Sequence, residues 1–173
     1  MIIKDLTEFQ SSEGKIPFTG QISAILKFGF SWRKERENQE NIIRVIEDIL
    51  SDECVLLRSV ILPKEEKPIP LVLISPSGLT VLNPKNLTGT FQAKDDTWRE
   101  MDRVGDLVTV EPNPIRETLS YTRTIKKYLE EHNLQNIPVD SVLAFTSTAI
   151  HVDSRHSTVR VLLSDAIKNF ASR

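Results

Sequence analysis

The sequence has one cysteine, six glycines, an aromatic content of only 6% and no surplus of basic residues. Cys54 has no second cysteine for a disulfide, which predicts a buried thiol in a reducing, cytoplasmic setting. The net charge of −2 argues against a dedicated non-specific DNA-binding protein. No apolar run approaches the roughly 20 residues that a membrane span requires, and the opening MIIKDLTEFQ lacks the apolar core of a secretory signal. These absences predict a soluble protein.

The glycines are scattered, so neither GxGxxG nor a P-loop occurs, and a nucleotide-binding loop of either kind is excluded. There is also no GxSxG elbow for a nucleophilic serine. The composition is still compatible with a Ser/His/Asp triad that lacks this elbow.

The length of 173 residues fits one α/β domain with a short extension. We expect an N-terminal extension over residues 1–35, of which the first 20 or so form a loose arm. Its apolar segment, residues 21–32, is expected to dock on the core of this domain. The alternative is that this segment binds a protein partner or another copy of the chain. The domain itself is expected to span residues 36–173.

Helical periodicity occurs on either side of a strand-rich region. One apolar stripe comprises Ile42, Val45, Ile46, Ile49 and Leu50. Its spacing predicts a helix over residues 38–51 that buries this face. Asn113 as N-cap and Pro114 at the first helical position predict the start of a second long helix. Ser164 is suited to cap a third.

Between and after the helices, β-branched and apolar runs alternate with turn residues. Runs at 55–62, 69–75 and 79–84 predict an antiparallel meander, with Gly78 in the tight turn between the last two. The apolar run VDSVLAFT is typical of a strand covered on both faces and is expected to join them. The fold class is therefore α/β, with a mixed sheet flanked by helices.

Three local motifs resemble the nuclease-related domain, NERD, a branch of the PD-(D/E)XK nuclease superfamily. They are QEN at residues 39–41, PLVLISPSGLTVLNPKNLTG at 70–89 and PNPIRE at 112–117. The resemblance covers roughly residues 36 to 170. It implies a restriction-endonuclease-like core and, in active members, metal-assisted phosphodiester hydrolysis with carboxylates holding Mg²⁺ beside a lysine.

The resemblance also implies where the catalytic groups belong. The acid of the first strand falls at Pro70 and the glutamate of the EXK motif falls at Asn83, while the lysine is kept as Lys85. Glu40 matches an acid of the first helix, and Glu117 replaces the glutamine that often begins the second. Both central metal carboxylates are therefore replaced. This predicts a vestigial site with no catalytic residue, no metal and no cofactor, in a domain that serves as a binding or structural module.

Two alternatives of different classes remain. A relocated acid, Glu40 or Glu117 beside Lys85, would support a Mg²⁺-dependent nuclease. A protein–protein interaction domain would instead use residues 21–32. Association with nucleic acid rests on the resemblance alone, because the basic residues of the second helix alternate with glutamates and are typical of a solvated face.

The segment HVDSRH brings His151, Asp153 and His156 close together in sequence. Zinc uses such residues, but it requires three or four ligands in a fixed geometry. We therefore interpret the segment as a solvated loop with turn-forming residues.

Overall fold

A computed structural model of the chain describes residues 1–7, 16–28 and 31–171. The helices are α1 Phe18–Phe28, α2 Trp32–Glu47, α3 Pro114–Glu131 and α4 Ser164–Ala171. The strands are β1 Ile2–Asp5, β2 Val55–Val60, β3 Ile69–Ser75, β4 Gly78–Lys85, β5 Gly89–Asp95, β6 Thr97–Met101, β7 Leu107–Thr109, β8 Val139–Phe145, β9 Ile150–Ser157 and β10 Arg160–Leu162.

A six-stranded mixed sheet carries the fold, in the order β1-β2-β3-β4-β8-β10. Strands β2, β3 and β4 form the predicted antiparallel meander, with Leu71 paired to Leu82, and β8 joins β4 in parallel. The tight turn requires Gly78, because its φ is +133° and a Cβ there would meet the Pro138 carbonyl oxygen at 2.6 Å. The predicted α/β class, a mixed sheet flanked by helices, is confirmed.

Helices α2 and α3 cover opposite faces of this sheet. The α2 face is filled by Ile42, Ile43, Ile46, Leu56, Leu71, Leu73, Leu82 and Val142. The α3 face is filled by Val60, Ile69, Val72, Val81, Ile125 and Leu129. Adjacent strand residues such as Val81 and Leu82 thus enter different cores, as the pleat requires. The sheet is buried on both sides, which accounts for its nearly continuous apolar runs.

The first long helix differs from its prediction. It begins at Trp32, six residues earlier than expected, and ends at Glu47, so that Ile49 follows the helix. The charged run RKERENQE lies inside the helix, because long straight-chain residues are good helix formers with a solvated face. Ile42 is fully buried as predicted, but Val45 is only half-buried and the missed residue Ile43 takes its place in the core.

A second sheet, in the order β7-β6-β5-β9, packs beside the first. Trp98 on the inner face of this second sheet stacks between Phe91 of the same sheet and Phe145 of β8 in the first sheet. The prediction that HVDSRH is a solvated loop is wrong, because it lies in β9, paired in parallel with β5. The alternation of buried Ile150 with exposed His151 is the strand signal that was missed.

The N-terminal residues are also ordered differently from the prediction. The loose-arm interpretation is wrong for residues 2–5, because β1 pairs in parallel with β2 at the sheet edge. In the segment 21–32, Ala24 and Trp32 are buried and Leu26 is exposed, while residues 29 and 30 lie outside the described residues. The domain division after residue 35 stays a prediction, and α2 crosses that position. None of the described helices is both long and apolar enough to cross a membrane.

Candidate functional site

The site positions that the resemblance implies on β3 and β4 lie near the start of α3. The β3–β4 ladder ends at the pair Leu71–Leu82, and Pro70 and Asn83 are the next residue on each strand. Lys85 follows two residues later and therefore points to the same face as Asn83. The fold thus brings three of the five predicted site positions to one point on the sheet.

Helix α3 supplies the fourth position. Its N-cap, Asn113, accepts hydrogen bonds from the backbone N–H groups of Ile115 and Arg116, at 2.9 and 3.2 Å. This cap and Pro114 fix the first turn, and Glu117 at the end of that turn points at the sheet. The predicted N-cap is confirmed, and its role here is to aim Glu117.

Three neighbouring side chains donate hydrogen bonds to the Glu117 carboxylate. Its Oε2 accepts from Lys85 Nζ at 2.6 Å and from Asn83 Nδ2 at 3.1 Å, and its Oε1 accepts from the Tyr121 hydroxyl at 3.2 Å. Asn83 is only 1% exposed, and its Nδ2 also donates to Thr118 Oγ1 at 3.0 Å. We call Asn83, Lys85, Glu117, Thr118 and Tyr121 the Glu117 cluster. It joins β4 to α3.

Electrostatics in the cluster favour the charged pair. Burial raises the pKa of Glu117, but the Lys85 ammonium and the hydrogen bonds from Lys85, Asn83 and Tyr121 outweigh it and hold that pKa below its usual value. Burial and the adjacent Glu117 charge raise the pKa of Tyr121, so its hydroxyl remains a donor. Glu117 thus serves Lys85 as an intramolecular counter-ion.

Glu40, the fifth predicted position, belongs to a different cluster on the α2 face. Its carboxylate accepts from Arg58 Nη1 at 2.9 Å, and Arg58 is almost fully buried. The remaining Arg58 donors bind Gln39 Oε1 at 2.9 Å and the Arg36 carbonyl oxygen at 2.8 Å. We call this group, together with Asp5, the Arg58 cluster.

The Arg58 cluster anchors the N-terminal strand. Asp5 pairs with Arg36 at 3.2 Å and lies 3.8 Å from Arg58, and it accepts hydrogen bonds from the backbone and hydroxyl of Thr7. Burial raises the pKa of Asp5, but these bonds and the two guanidinium groups bring it below its usual value. Burial, with the Arg36 charge, lowers the pKa of Arg58.

A backbone irregularity separates the two clusters. Ser59 takes a left-handed conformation, with φ of 55°, so Arg58 faces α2 while Val60 packs on the α3 side. The ladder pairs Arg58 with Leu71 and resumes at Val60 with Ile69, which leaves Pro70 opposite Ser59. Because proline has no N–H to donate, it suits a gap in the ladder.

The residues present do not fit a catalytic Mg²⁺. Such a site needs several oxygen ligands, including one or two carboxylates. Pro70 has no side-chain oxygen, Glu117 is bound by Lys85, and Glu40 is bound by Arg58 on the other face. Within residues 1–7, 16–28 and 31–171, no group of three or more His, Cys, Asp or Glu residues is placed to hold a metal ion.

The HVDSRH residues lie outside both clusters. Both carboxylate oxygens of Asp153 accept from Arg155, which lowers the pKa of Asp153 to about 2. His151 and His156 are exposed on β9.

Sequence reasoning missed Arg58 and Tyr121, which complete the two clusters. The signal for Arg58 was a single cation inside the apolar run VLLRSVIL, because a buried cation requires partners. Tyr121 lies four residues after Glu117, on the same helix face.

Comparison with known proteins adds one finding. The profile of the nuclease-related domain, NERD, matches residues 34–146, which is more than half of the chain and includes both clusters except Asp5. No curated protein matches the chain. No solved structure matches it either. With its α/β fold and this match, the chain belongs to the nuclease-related domain family.

Proposed function

We propose that this domain is a catalytically degenerate member of its family that serves as a binding or structural module. The observation that carries the proposal is the 2.6 Å contact between Lys85 Nζ and Glu117 Oε2. In phosphoryl chemistry a lysine acts on the charge that develops at the phosphate. Here that positive charge is already neutralised by a neighbouring side chain.

The two strand positions support the same proposal. Pro70 offers no ligand, and Asn83 uses its amide group to donate to Glu117 and Thr118. A neutral amide in place of a carboxylate cannot offset the charge of a divalent cation. The cluster therefore resembles a packing contact between strand and helix more than an open catalytic centre.

The test is cleavage of plasmid DNA, single-stranded DNA and RNA by the purified chain, with Mg²⁺ or Mn²⁺ and with EDTA. We expect no metal-dependent product at any enzyme concentration, with an active nuclease in the same buffer as the positive control. Titration calorimetry with Mn²⁺ is expected to show no heat of binding. The triple variant Pro70→Asp, Asn83→Glu, Glu117→Gln returns the family residues and should gain Mn²⁺ binding.

One result would overturn the proposal. Robust Mg²⁺-dependent cleavage by the wild-type chain, lost in Lys85→Ala and in Glu117→Gln, would promote the nuclease with a relocated acid. The matched control is Lys126→Ala, which changes an exposed cation on α3, the helix that carries Glu117. Nucleic-acid binding without cleavage, measured with the same oligonucleotides, would agree with a binding module.

A second candidate function is protein interaction through α1. Ile22 and Leu26 are both exposed, and they lie one helical turn apart on the same face. The double variant Ile22→Ser, Leu26→Ser removes this apolar face and leaves the buried Ala24 and Trp32 in place. Light scattering should show self-association in the wild type that this variant lacks. A monomeric wild type would exclude self-association through this segment.

A further inference from the structure

The turn between β6 and β7 is held rigidly by one carboxylate. Asp102 Oδ1 accepts from the backbone N–H groups of Val104 and Asp106, each at 2.9 Å. The backbone of Asp102 also exchanges hydrogen bonds with Asp106 and Gly105. The tip of this hairpin is therefore well ordered although it lies outside the core.

Apolar side chains are displayed on this ordered hairpin. They are Met101, Val104, Leu107 and Val108, and we call them the hairpin patch. Val104 is 83% exposed, and no member of the patch belongs to a core cluster among the described residues. Met101 and Leu107 pair on one face of this hairpin. Exposed apolar side chains next to an ordered turn are typical of an interaction site, because a segment that is already ordered loses less entropy on binding.

The backbone of β7 offers hydrogen bonds to an added strand. The β6–β7 ladder bonds Asp102 with Asp106 and Trp98 with Val110, so the bonded pairs alternate with pairs whose backbone groups point away. Leu107 and Thr109 belong to the pairs whose backbone groups point away from β6. Their N–H and C=O groups therefore point outward, at the edge of the sheet.

A cation without a partner lies beside this edge. Arg99 is opposite Thr109, on the outer face with Leu107, and no hydrogen bond or ion pair joins its guanidinium to any described residue. Met101 and Leu107 are neighbours on the same face and lie at one end of a cleft of about 430 Å³. The apolar pair Met101–Leu107 and the cation Arg99 thus lie two residues apart along the β6–β7 hairpin.

We propose that β7 is a docking edge for an extended segment of a protein partner, which adds as a fifth strand to the second sheet. In this mode, backbone hydrogen bonds supply affinity and alternate side chains supply specificity. The residue opposite Leu107 is apolar and packs against the Leu107 side chain. The residue two positions away, opposite Thr109, is acidic and pairs with Arg99. This holds whether or not the Glu117 cluster has any chemistry.

The test is an NMR titration of the ¹⁵N-labelled chain with a short capped threonine-rich peptide in which a glutamate precedes a leucine by two residues, the order that antiparallel addition to β7 requires. A matched peptide has lysine in place of the glutamate. We expect the amides of Leu107 and Thr109 to shift, and about threefold tighter binding of the glutamate peptide, as one exposed charge pair provides.

Two variants separate the parts of the proposal. Thr109→Pro removes an outward N–H at an edge position that tolerates proline, and it should weaken the peptide about tenfold. Arg99→Glu should reverse the preference, so that the lysine peptide binds more tightly. Arg103→Glu, which changes the nearby cation of the turn, is the matched control and should leave the preference unchanged.

Three results would overturn the proposal. The first is that neither peptide shifts the β7 amides. The second is a wild-type dimer in sedimentation that Thr109→Pro abolishes, which would make the occupant a second copy of this chain. The third is displacement of the peptide by a DNA or RNA oligonucleotide that shifts the same amides, which would assign the edge to nucleic acid.

Discussion

Lys85 Nζ lies 2.6 Å from Glu117 Oε2, in an ion pair that joins strand β4 to helix α3. The pair is partly buried, with the two side chains 21% and 34% exposed. Asn83 donates to the same carboxylate oxygen, so the strand supplies two donors and the helix one acceptor. In this protein Lys85 therefore serves as half of an intramolecular contact.

Glu117→Gln tests the structural part of this contact. The substitution keeps the size of the side chain but leaves Lys85 without its counter-ion, so we expect the free energy of unfolding to fall by about 1–2 kcal/mol. Urea unfolding followed by circular dichroism measures the change. Glu130→Gln, on the exposed face of the same helix, is the control and should stay within about 0.5 kcal/mol of wild type. Equal stability of both variants would show that the pair stabilises nothing.

The pH dependence of this stability follows from the pKa of Glu117, which lies below its usual value of 4.5. A carboxyl with a lowered folded pKa stabilises the protein above its unfolded pKa and loses that contribution as pH falls through the folded pKa. The deficit of Glu117→Gln relative to wild type should therefore be constant from about pH 7 to 5 and shrink below about pH 4.5. Asp5 titrates in the same direction in both proteins, so its effect cancels from the difference. A deficit that grows toward low pH would contradict the assignment.

Much of the main sheet could be predicted from sequence, because the apolar pattern of each strand depends on whether its own faces are buried. Apolar runs around Gly78 identify the meander, and Asn113 with Pro114 identifies the start of α3. The second sheet was not recognised as separate, since pairing of β5 with β9 joins segments far apart in sequence and leaves no local trace. Strand β1 was missed for the same reason.

The site could be predicted in its residues but not in its contacts. The resemblance locates Asn83, Lys85 and Glu117, and the fold does bring them together. Arg58 lies on the α2 face with Leu56, as the pleat requires, but the contact of Glu40 with Arg58 joins a helix to a strand 18 residues away and leaves no local trace in the sequence.

Arg58→Met should be strongly destabilising. Arg58 is almost fully buried, and its guanidinium binds groups from α2 at 2.8 to 2.9 Å. Removing it leaves the Gln39 amide oxygen and the partly exposed Glu40 carboxylate without this donor, and we expect a loss of about 2–3 kcal/mol. Chemical denaturation measures the loss, with Arg123→Met, a change of an exposed arginine on α3, as control. Wild-type stability in Arg58→Met would mean that the buried network is dispensable.

Ile42→Asp and Val45→Asp form a graded pair on helix α2. Ile42 is fully buried against the sheet, whereas Val45 is half-buried at the edge of the same core. The free energy lost on burying an unpaired carboxylate increases with the extent to which the carboxylate is removed from water. Ile42→Asp should therefore lower the melting temperature by about 10 °C or more, and Val45→Asp by less than half of that. Differential scanning fluorimetry decides the order. The reverse order would mean that the helix is rotated relative to the sheet.

The exchange of Asn83 and Glu117 gives the sharpest test of the cluster, because both changes preserve size. Asn83→Asp alone places a second carboxylate beside Glu117 at a site that is 1% exposed, and we expect a loss of about 3 kcal/mol. The double variant Asn83→Asp, Glu117→Gln returns one carboxylate to Lys85, now from the strand rather than the helix. The loss of unfolding free energy in the double variant should be smaller than the sum of the two single losses by about 1–2 kcal/mol. A double-mutant cycle in urea measures this difference. Strict additivity would show that Asn83 and Glu117 do not share one charge requirement, and the Glu117 cluster would then be a set of independent contacts.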